Sequence, residues 1–278
     1  MSQGVAELQV FSEVLSPRDA DLGPTIMEGK ALLAAGAEAL FVPDAPGGVP
    51  RVDAVMCAAL LQQALGVLCI PHLNCRDRNR VALRGLLLAA RVAGIRAVKA
   101  VTGDPLPGSG ISGVWDEDSV SLARMAADVG LEVVIGHRLS GPGSVASVDR
   151  LQDKVRAGAC MAMTTPLLDA TMAEAVVADC ERARIRPLIS LLSIPSVEVL
   201  RHLEQESRAF RSAPDAEARL RGATDPVQAG VDLALDVASS VGARASFHVA
   251  LPFGRAQAGI PLLRELRVRV LHRRPGSA

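Results

Sequence analysis

The chain has 278 residues, with 30 basic and 30 acidic side chains and a formal net charge of zero. No global field therefore draws it to nucleic acid or to an anionic membrane surface. Hydrophobic residues make up 49% and aromatic residues only 2%, so a large core must be assembled from Ala, Val, Leu and Ile.

In chain order, short apolar runs alternate with longer amphipathic stretches. The predicted strands are LQVFSEV (8–14), EALFV (38–42), GVLCI (66–70), AVKAVT (97–102), LEVVI (131–135), MAMTT (161–165), PLISLL (187–192) and ASFHVAL (245–251). Each is almost continuously apolar, the mark of parallel strands covered on both faces. Between them, Val52, Val55, Met56, Ala59 and Leu60 fall at helical spacing after Arg51. Leu83, Leu86, Leu87 and Ala90 share a face that stops at Gly94. A further helix starts at Asp118 as N-cap, buries Leu122, Met125, Ala126 and Val129, and ends at Gly130. Eight strands with intervening helices close naturally as a (β/α)8 barrel, read here as one domain over residues 1–278.

No stretch reaches the roughly 18 apolar residues of a membrane helix, and the start lacks the pattern of a signal peptide. The five cysteines are scattered without a CxxC pair, which suits reduced thiols in a cytoplasmic protein and offers no structural metal site. The basic residues Arg264, Arg267, Arg269, Arg273 and Arg274 read as a solvated final helix and tail.

Glycine- and proline-rich stretches at 44–51, 103–110 and 140–144 directly follow predicted strands, where a barrel keeps its catalytic loops. Glu13, at the end of the first strand, reads two ways: a buried acid with a raised pKa, or a strand-end carboxylate paired with Arg18 or Lys99. Asp104 is either a carboxylate held at the barrel mouth or a turn former. His72 and the charged run Cys75–Arg80 follow the third run. Arg76 or Arg78 there either binds an anion or joins an ion-pair lattice centred on Asp77. The chain has no strand–GxGxxG–helix unit and no GxSxG elbow, which disfavours a Rossmann domain or a hydrolase.

Taken together, FSEVLSP (11–17), DAPGGVPR (44–51), PHLNCRDRNR (71–80), GIRAVKAVTGDPLPGSG (94–110), KVRAGA (154–159) and FHVALPFGR (247–255) resemble the methylenetetrahydrofolate reductase family. The resemblance runs from about residue 10 to about residue 265. It implies reduction of 5,10-methylenetetrahydrofolate to 5-methyltetrahydrofolate, with a hydride passed from NADH or NADPH through bound FAD. It implies that Glu13 is the acid that opens the imidazolidine ring to an iminium, and that Asp104 is a carboxylate near flavin and pterin. It further implies cofactor contacts from His72, Thr102, Gly103, Trp115 and Lys154, and substrate contacts from Asp104, Thr165, Phe253 and Arg255. Asp44 and Arg51 match a supporting loop.

The implied partner is a small-molecule reduced folate, with no nucleic acid or membrane partner; self-association through apolar helix faces is compatible with the sequence. The chain also departs from the family. Thr165 stands where a Gln usually holds the pterin, residues 134–149 lack the usual flavin pattern, Ser147 replaces an Asp, and Ser190 and Ser193 replace Gly and Pro. Two alternatives therefore stand beside reduction: a relative repurposed for one-carbon transfer from the same iminium, and a flavin-free, non-catalytic folate-binding homologue.

Overall fold

The computed structural model describes residues 4–105, 110, 112–137, 145–206, 215–251 and 256–271. Eight parallel strands pair in chain order, and the last returns to the first to close the barrel. They are β1 (Val10–Glu13), β2 (Ala39–Val42), β3 (Leu68–Asn74), β4 (Ala97–Val101), β5 (Glu132–His137), β6 (Ala159–Pro166), β7 (Arg186–Leu191) and β8 (Ser246–Val249). All eight overlap the runs read from sequence. The helices packed outside are α1 (Gly23–Ala35), α2 (Ala54–Leu65), α3 (Arg80–Val92), α4 (Ser119–Asp128), α5 (Val145–Arg156), α6 (Ala170–Ala183), α7 (Val197–Glu206), α8 (Ala216–Gly222), α9 (Pro226–Val241) and α10 (Ala256–Leu266).

Helix starts follow local chemistry. Asp53, Asp118, Asp169 and Asp225 each accept two backbone N–H groups at the starts of α2, α4, α6 and α9. That satisfies donors which otherwise lack a partner in the first turn. α3 and α4 stop at Ala93–Gly94 and Val129–Gly130, as read from sequence.

Two boundaries differ. β3 runs on through Pro71 to Asn74, because Pro71 sits opposite Val42 and the ladder resumes with His72 opposite Lys99. His72 is thus inside a strand and not after it. α2 begins at Ala54, leaving Val52 outside, and it buries Ala54, Val55, Cys57, Ala58 and Leu61. Met56 and Leu60 are exposed, on the face of α2 opposite that buried set.

The core has two layers. Outward-facing strand residues such as Leu40, Leu73, Val98, Ile135 and Ile189 pack with the helices in one large cluster. Inward-facing Phe11, Phe41, Ile70, Val134, Met161 and Leu188 fill the lumen, with Val5 packed beside them. Val5 donates its N–H to Glu132 Oε2 at 2.8 Å, tying the N-terminal turn to β5. A filled lumen leaves the loops at the carboxyl ends of the strands as the place for chemistry. No helix among the described residues is long and apolar enough to cross a membrane.

Candidate active site

Above the apolar lumen the same inward-facing positions become polar. β1 contributes Glu13, β3 His72, β4 Lys99, β7 Ser190 and β8 His248. The Phe41 ring lies 5.6 Å from the His72 ring, 5.5 Å from the His248 ring and 5.9 Å from Lys99 Nζ.

At the seam of β8 and β1, Glu13 Oε1 accepts the Leu251 N–H at 3.2 Å, and Oε2 lies 3.7 Å from His248 Nε2. Burial raises the Glu13 pKa, against the opposing pull of the Leu251 N–H and of Lys99. Burial, reinforced by Lys99, holds His248 well below the usual imidazole range, so it is neutral at neutral pH and forms no ion pair with Glu13. Its Nδ1 is hydrogen-bonded to Ser190 Oγ at 2.9 Å, while Nε2 has no partner among the described residues.

On the other side of the lumen a cavity of about 580 Å³ opens along β2 to β6. Its wall includes His72 and Asn74 of β3, Lys99 of β4, Gly136 and His137 of β5, Lys154 of α5, and Thr164 and Thr165 of β6. Its rim carries Asp44, Thr102, Gly103 and Asp104. The buried atoms His72 Nε2, His137 Nε2 and Thr165 Oγ1 have no hydrogen-bond partner among the described residues. Orphaned polar atoms around a cavity mark where a ligand's polar edge would sit. Burial, then Lys99 and His248, holds His72 far below the usual range, and burial, then Lys154, takes His137 to about 4. Both are neutral at neutral pH. Lys154 donates from Nζ to Gly136 O at 2.6 Å, and burial lowers its pKa.

Gly103 is required at the rim. Its φ is +92°, and a Cβ there would sit 2.8 Å from Arg76 Cβ. The charged run is the ion-pair lattice, with Asp44 rather than Asp77 at its centre. Arg78 bonds Asp44 at 2.5 and 3.1 Å and Asp53 at 3.2 Å, and Asn74 Nδ2 bonds Asp44 at 2.8 Å. Arg76 is spent on a bidentate pair with Asp77 at 2.6 and 2.7 Å. Arg51 holds Ser16 O at 2.6 Å, a supporting contact.

His72, Thr102, Gly103, Asp104, Lys154 and Thr165 thus line one cavity. Two expected residues do not. Trp115 is 40% exposed and off the cavity wall. Glu13 is not on the cavity lining either; it sits at the seam of β8 and β1. Lys99 lines the cavity and acts electrostatically on Glu13, which links the seam to the cavity wall. Phe253 and Arg255 lie outside the described residues. The sequence reading missed His137 and the cavity role of Lys99. Strand alternation from Ala97 was the available signal for Lys99.

Comparison with known proteins settles the lineage. The profile of the methylenetetrahydrofolate reductase family matches residues 6–210. The chain belongs to this family. It is 32% identical over 111 residues to the 5,10-methylenetetrahydrofolate reductase of Salmonella typhimurium, a match spanning 39% of this chain and 38% of that relative. Among solved structures, it is similar to an uncharacterised protein from Clostridium thermocellum that binds two copies of 5-methyl-5,6,7,8-tetrahydrofolic acid. That likeness has a TM-score of 0.66 and 12% identity over 94% of this chain and 95% of that one. Dihydropteroate synthase from Stenotrophomonas maltophilia follows at a TM-score of 0.54 and 16% identity, over 97% and 94%. These structural likenesses speak for the barrel fold. They place this family member among (β/α)8 barrels.

Proposed function

We propose that this family member reduces 5,10-methylenetetrahydrofolate to 5-methyltetrahydrofolate, using NADH or NADPH as hydride source. The observation that carries the reading is Glu13, a carboxyl in the family's acid motif whose pKa burial raises. A proton donor poised nearer neutrality is what opening the imidazolidine ring needs. Asp104 at the rim favours the positive charge that develops on the folate, and Thr165 offers its unpartnered hydroxyl to the pterin. The binding of 5-methyltetrahydrofolate by the Clostridium thermocellum protein supports a folate ligand.

FAD is the cofactor the family implies, and the wall fits the ring of such a group. The unpartnered His72 Nε2 would hold a polar heterocycle edge, and Lys154, held by Gly136 O, would place its positive charge beside it. When bound, FAD supplies the hydride. A flavin-free relative performing one-carbon transfer is the second reading, favoured by Trp115 standing off the wall.

The test is the visible spectrum of the purified protein, followed by oxidation of reduced nicotinamide on adding 5,10-methylenetetrahydrofolate. Glu13→Gln is expected to lower kcat by about 10²–10⁴-fold while folate still raises the melting temperature. Unchanged turnover in Glu13→Gln removes the acid; no thermal shift with any reduced folate removes the substrate class.

A further inference from the structure

We propose that Lys99 is a nucleophilic amine that condenses with a small aldehyde inside the cavity. The sequence itself sets Lys99 apart. Of 30 basic residues 27 are arginine, and the three lysines are Lys30, Lys99 and Lys154. Two of the three line the cavity. Arginine stays charged at any working pH, so it cannot offer a lone pair, whereas lysine can.

The setting separates Lys99 from the other two. Lys30 is exposed on α1. Lys154 spends its Nζ on Gly136 O. Lys99 Nζ has no hydrogen bond and no ion pair among the described residues, and it lies 5.9 Å from the centre of the Phe41 ring. Glu13 of β1, His72 of β3 and His248 of β8 are the titratable groups that interact with it. Both imidazoles are neutral, and burial lowers the Lys99 pKa to about 8, with Glu13 opposing. An amine in such a site is partly deprotonated near neutral pH, which is how desolvated lysines are activated.

The reaction balances without a further reactant. The Nζ lone pair forms the C–N bond to the aldehyde carbon, and one proton of the resulting ammonium passes to the carbonyl oxygen to give a carbinolamine. A proton from Glu13 then lets the hydroxyl leave as water. The nitrogen becomes an imine, and the proton it sheds returns to the Glu13 carboxylate.

The experiment is reductive trapping of the full chain with propanal and cyanoborohydride at pH 7, with the labelled lysines identified by peptide mass spectrometry. The lowered pKa gives Lys99 more neutral amine than an ordinary lysine has at that pH; lower basicity and restricted access hold the expected rate advantage to about tenfold. Propylation of Lys99 ahead of Lys30, lost in Lys99→Arg with Lys30 labelling unchanged, supports the proposal. Label on Lys30 and the N-terminus with Lys99 unmodified overturns it. Adding 5-methyltetrahydrofolate separates this inference from the folate reading. Trapping that folate does not slow leaves the amine chemistry standing and removes folate from this cavity.

Discussion

Phe11, Ile70, Ala97 and Leu188 face the lower lumen, and two residues further along the same strands Glu13, His72, Lys99 and Ser190 face the upper one. A step of two keeps a strand residue on the same face, so both sets share one register. The lower set is hydrocarbon packed without gaps. The upper set is polar, and His72 Nε2 there and His248 Nε2 beside Ser190 are left without partners among the described residues. The comparison teaches that this barrel gets its stability and its chemistry from one alternation, divided by height, and that the upper half is held at a cost to stability.

The largest expected effect tests the lower half. Phe11 is fully buried, so Phe11→Ala should destabilise by about 3–5 kcal/mol, read as a lower denaturation midpoint at unchanged m. A loss below about 1 kcal/mol would mean the lower lumen is not the packed core described.

Lys99→Met should move stability the other way, by about 2 kcal/mol at pH 7, because it removes a charge held out of water. The sign follows from a folded pKa of about 8 against 10.5 unfolded. Below pH 8 both states carry the proton and the penalty is complete. Between 8 and 10.5 the unfolded chain binds more protons, so wild-type stability rises with pH and the advantage of Lys99→Met fades. Thermal melts at pH 7 and pH 10 check this; an equal gain at both would assign it to packing alone.

Ser190→Ala sharpens the seam. It strips His248 Nδ1 of its described partner and should cost about 1–2 kcal/mol, against a near-neutral result if that bond is idle. Asp225→Ala, off the cavity lining, should cost about 1 kcal/mol through the α9 cap and leave the trapping of Lys99 unchanged.

Much of this was legible in one dimension. Apolar runs bounded by turn residues marked all eight strands, and Asp118, Gly94 and Gly130 marked helix ends, because strand burial and capping depend on neighbours in sequence. The motifs around Glu13, His72 and Asp104 carried the family, since residues that share a chemical task keep their spacing. What they could not carry is which of those residues meet. Pro71 looked like the end of a strand and hid the inward position of His72. Phe41, His72, Lys99 and His248 come from four different strands and meet only once the barrel has closed. Lys99 became a cavity residue for the same reason. The apolar pattern determined the barrel, and the motif resemblance pointed to its lineage; barrel closure decided which acid, amine and imidazole share an environment, because that is set by strand register and by what fills the space between strands.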